Sequence, residues 1–304
     1  MSNSTPRNTL RQIKLRLKDI QVYYCLQRMF ASGSRLSHAI TVWQTFYRPR
    51  KIILFFPERA NRASVAYRLC ALLGYVISND PHRRFDGVVK WKDSTFFDPA
   101  ELGKIPATNQ RIINGASLDI SKHTVNQAFA ETFGYPLGVN PLEFHGKILE
   151  KSDRNATHDG RILDGPLRPE EIRAGYVYQK AIDNASATDG LFLEYRLPII
   201  GGVMPFVFLK YRSPENRFGI MNVQTKMEKV ETVFSPSELE KITLIMRKMG
   251  LDCGELDILR DLDGRIYVVD VNNTPNGPPN GLTETETKTA MTLLAKKFEE
   301  LLEH

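Results

Sequence analysis

The chain has 304 residues, 42% apolar and 25% charged, ordinary globular material for two or three lobes. No run approaches the roughly 18 apolar residues of a membrane span, and the N-terminus lacks the apolar segment of a secretory signal. Cys25, Cys70 and Cys253 are odd in number and far apart, which indicates neither a disulfide framework nor a zinc site and suits a reducing cytoplasm.

Residues 1–51 hold ten Lys or Arg against the single acid Asp19. That +9, against +6 for the whole chain, leaves −3 for residues 52–304, so the basicity belongs to an N-terminal arm, residues 1–50. Within it Leu10, Ile13, Leu17, Ile20 and Tyr24 recur at helical spacing, with Arg11, Lys14 and Lys18 on other faces. Two readings fit: a helix docked on the main body with a solvated basic face, or attraction to an acidic partner, a polyanionic substrate or an anionic membrane surface. The second would make a cytoplasmic protein peripheral at the membrane. Nucleic acid is not expected, since no binding motif accompanies the charge.

Lys51–Phe56 reads as a buried strand and Asn61–Leu73 as a helix with Val65, Leu69, Leu72 and Leu73 inward. Gly74–Ile77 and Gly87–Trp91 read as further parallel strands, giving a small α/β lobe over residues 51–118 without a dinucleotide fingerprint. Residues 119–185 hold Lys122, a helix to Phe133, a strand Lys147–Lys151, a polar loop from Ser152 to Gly160, and a strand Tyr176–Ile182 leading into a small, polar connection. In residues 186–304, Leu191–Pro198 and Val203–Arg212 form a hairpin closed by Gly201-Gly202. A two-residue turn there would put Arg196 and Lys210 on opposite faces unless a bulge intervenes. Ser235 and Glu238 form a capping box that starts a helix ended by Gly250, and Thr283–Leu302 closes the chain as amphipathic packing.

The stretch Gly254–Asn272 carries the most chemistry. Apolar segments flank Asp261-Leu262-Asp263-Gly264, a turn in which Gly264 takes positive φ. Closing the hairpin there pairs Arg260 with Arg265 and sets Asp257 opposite Val268, so that Val268, Asp270 and Asn272 share the face of Asp257. Asp257 and Asp270 are then diagonal neighbours roughly 7–8 Å apart. Two carboxylates and an amide oxygen on one face suit Mg²⁺, with Mn²⁺ an acceptable substitute. The flanking residues are apolar on both sides, and a buried carboxylate pair without a cation would be too costly.

The run Glu255-Leu256-Asp257, then Asp263-Gly264, then Val269-Asp270-Val271-Asn272-Asn273-Thr274-Pro275 resembles the C-terminal metal signature of the ATP-grasp superfamily. The resemblance spans roughly residues 51–300 in element order; its departure is Asp270, where most members carry Glu. It implies an α/β and α+β chain of the ATP-grasp fold: a small N-terminal α/β lobe, then two α+β lobes, 119–185 and 186–304, that sandwich ATP. Lys122 and Lys151 match the two phosphate-contacting lysines. The segment with Gln179, Lys180 and Ile182 resembles the one that meets adenine, and Glu194 resembles the acid that contacts ribose. Arg196, Lys210 and Arg212 match cations near the transferred group, and Asn222 resembles an Asn of the glutamate-ligase branch. Metal binding falls to Asp257, Asp270 and Asn272. The implied reaction is ATP- and Mg-dependent: a substrate carboxylate is activated as an acyl-phosphate and attacked by an amine. The alternatives are a small-molecule kinase that phosphorylates a hydroxyl and a non-catalytic ATP-binding protein. Pro275–Asn280 is expected to line the acceptor pocket, and a homodimer is a further expectation.

Overall fold

The computed structural model describes residues 51–108, 110–186, 189–217, 219 and 221–303. The amphipathic basic arm, residues 1–50, lies outside the described residues.

From Ile52 onward the described residues form a parallel sheet of four strands. β1 (Ile52–Pro57) lies between β2 (Val76–Ser78) and β3 (Gly87–Trp91), and β4 (Ile112–Ile113) completes the order β2-β1-β3-β4. Helix α1 (Val65–Leu73) crosses from β1 to β2. It starts four residues later than the apolar spacing predicts. Asn61 Oδ1 accepts from the backbone N–H of Ala63 and Ser64, 2.9 and 3.0 Å, and so turns the chain. Ser64 then caps the helix by accepting from Tyr67 N at 3.2 Å. Gly74 ends it in the left-handed region, φ 73°, so β2 begins at Val76 instead of Gly74.

Helix α2 (Lys122–Phe133) leads into a three-stranded antiparallel sheet, β6-β5-β7, formed by β5 (Gly146–Ser152), β6 (Arg161–Gly165) and β7 (Tyr176–Lys180). The third sheet has five antiparallel strands in the order β10-β9-β8-β11-β12: β8 (Phe192–Ile200), β9 (Val207–Arg212), β10 (Gln224–Glu228), β11 (Cys253–Arg260) and β12 (Ile266–Asn272). Between β10 and β11 runs α3 (Pro236–Lys248), opened by the Ser235/Glu238 capping box, and α4 (Glu284–Leu301) closes the chain. The sequence pattern does not predict β4, β6 and β10.

Strand alternation splits the five-stranded sheet into two chemically different faces. Tyr195, Leu197, Val207, Leu256, Ile258, Val268 and Val271 form one core with Phe129 of α2 and Ile242, Ile245 and Met246 of α3. A second core joins α1, α4 and the first sheet. Among the described residues no helix is long and apolar enough to cross a membrane.

Candidate functional site

The β11–β12 hairpin departs from the simple register in two places. Asp261 N donates to Arg265 O at 2.9 Å, and Asp261 Oδ1 accepts from the N–H of Asp263 and Arg265. This wider turn, with Gly264 at φ 84°, pairs Arg260 with Ile266, not Arg265. A bulge between Asp257 and Ile258 then inserts Val269, so Ile258 faces Val268 while Asp257 faces Asp270 directly. Each departure shifts the register by one residue; together they restore the parity of the face. Asp257, Asp270 and Asn272 therefore share a face as expected, but as an opposed pair, and Val268 turns to the apolar core instead of joining them.

The β8–β9 hairpin behaves similarly. Ile200 bridges Val203 around Gly201-Gly202, yet further along Arg196 pairs with Phe208 and Glu194 with Lys210. One extra residue is thus accommodated on the return strand, where Pro205 can donate nothing to a ladder, as Pro198 cannot on the other strand. Arg196 and Lys210 consequently lie on the same face, against the opposed placement a regular two-residue turn gives. Since Asp257 pairs with Arg196 on its other side, one polar face runs across the sheet from Thr225 and Lys210 through Glu194 and Arg196 to Asp257 and Asp270.

Contacts along this face are tight. Arg196 grips Asp257 with two parallel hydrogen bonds, Nε–Oδ1 2.8 Å and a terminal nitrogen to Oδ2 2.9 Å. Burial alone would raise the Asp257 carboxyl; Arg196 and Lys210 instead hold it well below the usual carboxylate range. Glu194 accepts from Lys210, which is 3% exposed, and from Arg212 at 2.9 Å. Asn222 accepts from Arg212 Nε at 3.3 Å and donates to Asn280 Oδ1 at 2.8 Å.

The other half of the site comes from α2 and the three-stranded sheet. Lys122 occupies the first turn of α2 and is buried; it donates to Arg154 O at 2.9 Å and stands 4.0 Å from Asp270 Oδ1. Lys151 donates to Val269 O, the bulge carbonyl, at 3.0 Å. Both ammonium groups converge on Asp270. Burial brings Lys151 down to about 8 and leaves Asp270 above its ordinary value despite the two lysines.

Gln179 is fully buried and its Nε2 donates to Asn126 Oδ1 at 2.6 Å, while its Oε1 has no hydrogen-bond partner. Lys180 stands 3.8 Å from Asp261, and Ile182 is a core residue whose carbonyl accepts from Arg217 at 2.6 Å. The structure thus gathers Lys122, Lys151, Arg196, Asp257, Asp270 and Asn272 at one end of the face and Glu194, Lys210, Arg212 and Asn222 at the other. Gln179 is turned to α2.

Glu255 was not among the expected ligands. It faces Asn272 across the ladder on the same side as Asp257, is 4% exposed, and its Oε2 has no hydrogen-bond partner, with Arg196 Nε 3.5 Å away. Burial, outweighing Arg196, pushes it up to about 7. The signal that could have found it is its spacing, two residues before Asp257 on one strand. Among the described residues no group of three or more His, Cys, Asp or Glu side chains is placed to hold a metal ion. The donor set is hard oxygen throughout, with a buried unsatisfied carboxylate oxygen beside it, and this fits a cation that completes its shell with water and phosphate.

No family model matches the chain. A curated protein, the D-2-hydroxyglutarate dehydrogenase of Haemophilus influenzae, is 33% identical over 87 residues, which is 28% of this chain and 8% of that protein; the match spans less than a tenth of that relative. Among solved structures, the L-amino acid ligase from Bacillus licheniformis aligns over 84% of this chain and 75% of its own, with a TM-score of 0.52 at 13% identity. The D-cycloserine synthetase DcsG aligns over 83% of this chain and 99% of its own, with a TM-score of 0.50 at 13% identity. At such identities the likeness is one of fold, and the fold is ATP-grasp.

Proposed function

We propose that the chain is an ATP- and Mg²⁺-dependent ligase that activates a substrate carboxylate as an acyl-phosphate for attack by an amine. The observation that carries this reading is the convergence of Lys122 and Lys151 on Asp270, directly opposite Asp257, on the polar face of the five-stranded sheet. Lys122 and Lys151 would meet phosphate oxygens as compact point charges. Mg²⁺, held by Asp257, Asp270 and Asn272, would neutralise charge on the phosphate oxygens.

Arg196, Lys210 and Arg212 form a cationic row along the same face. In this reading they stabilise the transferred group as it passes to the carboxylate. Glu194, fixed between Lys210 and Arg212, keeps its remaining lone pairs for ribose hydroxyls. The Tyr176–Ile182 segment and its linker would supply backbone donors and acceptors to adenine, with Lys180 at its edge. Gln179 is assigned to holding α2 in place through Asn126.

The test is ADP release from ATP and Mg²⁺ across a panel of carboxylic acids, each offered with and without an amine. A ligase releases ADP steadily only when both are present and yields an amide. Steady turnover with a single hydroxyl compound and a phosphorylated product would replace this reading with a kinase. No ADP with any pair would replace it with a binding protein.

A further inference from the structure

The first sheet changes direction at β1: the chain goes from β1 through α1 to β2 on one side, then returns to β3 on the other. In open α/β sheets ligands bind outside the carboxyl ends of the strands flanking such a switch point. Here those ends are Pro57 and Trp91, tied by Glu58 N donating to Trp91 O at 3.0 Å. Just beyond β1 lies a crevice of about 350 Å³ lined by Arg59, Ala60, Asn61, Arg62 and Tyr67.

Its lining holds two cations and no acid. Among the described residues the side chains of Arg59 and Arg62 make no ion pair or hydrogen bond. Glu58, the neighbouring acid, is engaged with Asp93, whose N–H it accepts at 3.2 Å. Asn61 spends its oxygen on the turn and keeps its Nδ2 donors uncommitted. The residues around the crevice are also joined to the candidate site. Val65 N donates to Pro275 O at 2.9 Å and Gly277 N to Ala63 O at 3.1 Å, so the loop leaving Asn272 is laced to this wall. Lys122 and Lys151 gather at Asp270 and are not part of this lining.

We propose that this crevice binds an oxyanion, carboxylate or phosphate, carried by the acceptor substrate. Guanidinium forks match the planar or tetrahedral oxygens of such groups and hold them by paired charge-assisted hydrogen bonds. That the oxyanion belongs to an acceptor rests on the ligase reading; that the crevice binds an oxyanion does not.

The test is calorimetric titration of the full chain, without nucleotide, with inorganic phosphate and separately with succinate, repeated on Arg59→Gln/Arg62→Gln. Saturable binding of either probe, weakened at least about tenfold in the double variant, is expected. The melting temperature and the Mg-ADP affinity should stay unchanged. Preference for phosphate identifies a phosphorylated acceptor, and preference for succinate an acid. Absence of saturable binding to the wild type, or equal binding by the variant, overturns the proposal. A wild type that ignores Mg-ADP overturns the ligase reading instead, and leaves the anion titration to be judged by itself.

Discussion

Lys90 lies in β3, 2% exposed, with its ammonium 4.8 Å from the centre of the Phe97 ring and donating to the Ser117 carbonyl. No carboxylate among the described residues pairs with it, and burial lowers it from 10.5 to about 8. The unfolded chain therefore holds this proton up to about 10.5, the folded one only to about 8. Below the lower value the lysine is charged in both states and folding bears the whole desolvation cost. Between the two the unfolded state binds more protons, so stability rises with pH; above the upper value the cost is gone. At about 1.4 kcal/mol per pH unit the cost is roughly 3 kcal/mol. Lys90→Met keeps the unbranched shape and removes the charge. It also gives up one hydrogen bond, worth about 1 kcal/mol, so the variant should gain about 2 kcal/mol at pH 7. Urea unfolding at pH 7 and pH 10 measures this, and the advantage should shrink towards zero at the higher pH. A variant less stable than wild type at pH 7, or a difference that stays constant between the two pH values, would refute the reasoning.

Asp270→Asn should lower ADP formation by several kcal/mol of barrier height with the melting temperature retained, whereas Asp270→Glu should keep activity; full activity in the Asn variant removes Asp270 from the site. Lys151→Ala and Lys122→Ala should each weaken ATP binding while leaving adenosine binding nearly unchanged, and calorimetry showing equal ATP affinity in the double variant counts against both lysines. Glu194→Gln strands Lys210 and Arg212 without their carboxylate, so urea unfolding should show a loss of about 3–5 kcal/mol, and adding Lys210→Met should recover part of it.

The hairpin chemistry was legible where local rules decide it. Gly264, Gly201 and Gly202 take the positive φ their turns demand, and Ser235 caps as its spacing to Glu238 predicts. Register was not legible to the residue. The wider turn depends on Asp261 bonding back to its own loop, and the bulge falls at Val269, which nothing but tertiary context distinguishes from an ordinary strand valine. The candidate ligands share their face because the two register shifts cancel. The sequence puts Arg196 and Lys210 on opposite faces unless a bulge intervenes, and the extra residue near Pro205 meets that condition. Glu255 stayed hidden because a carboxylate beside Asp257 looks like solvent-facing alternation until its burial is seen.

The lacing of the first lobe to the end of β12 bears on how such a protein could be recombined. Asn114, buried in a left-handed conformation at φ 60°, accepts from the N–H of Asp252 and Cys253 and donates to the Cys253 carbonyl. Asn273 reaches back to Ser117 Oγ at 3.1 Å, and Ala63 and Val65 hold the loop at Gly277 and Pro275. A graft of residues 51–118 from another chain would remove the side-chain bonds of Asn114 and Ser117 at once and loosen the strand end that presents Asn272. The transplantable unit is discontinuous: residues 51–118 must travel with 252–253 and 273–277, and a chimera cut after residue 118 alone should melt at a lower temperature than its parent.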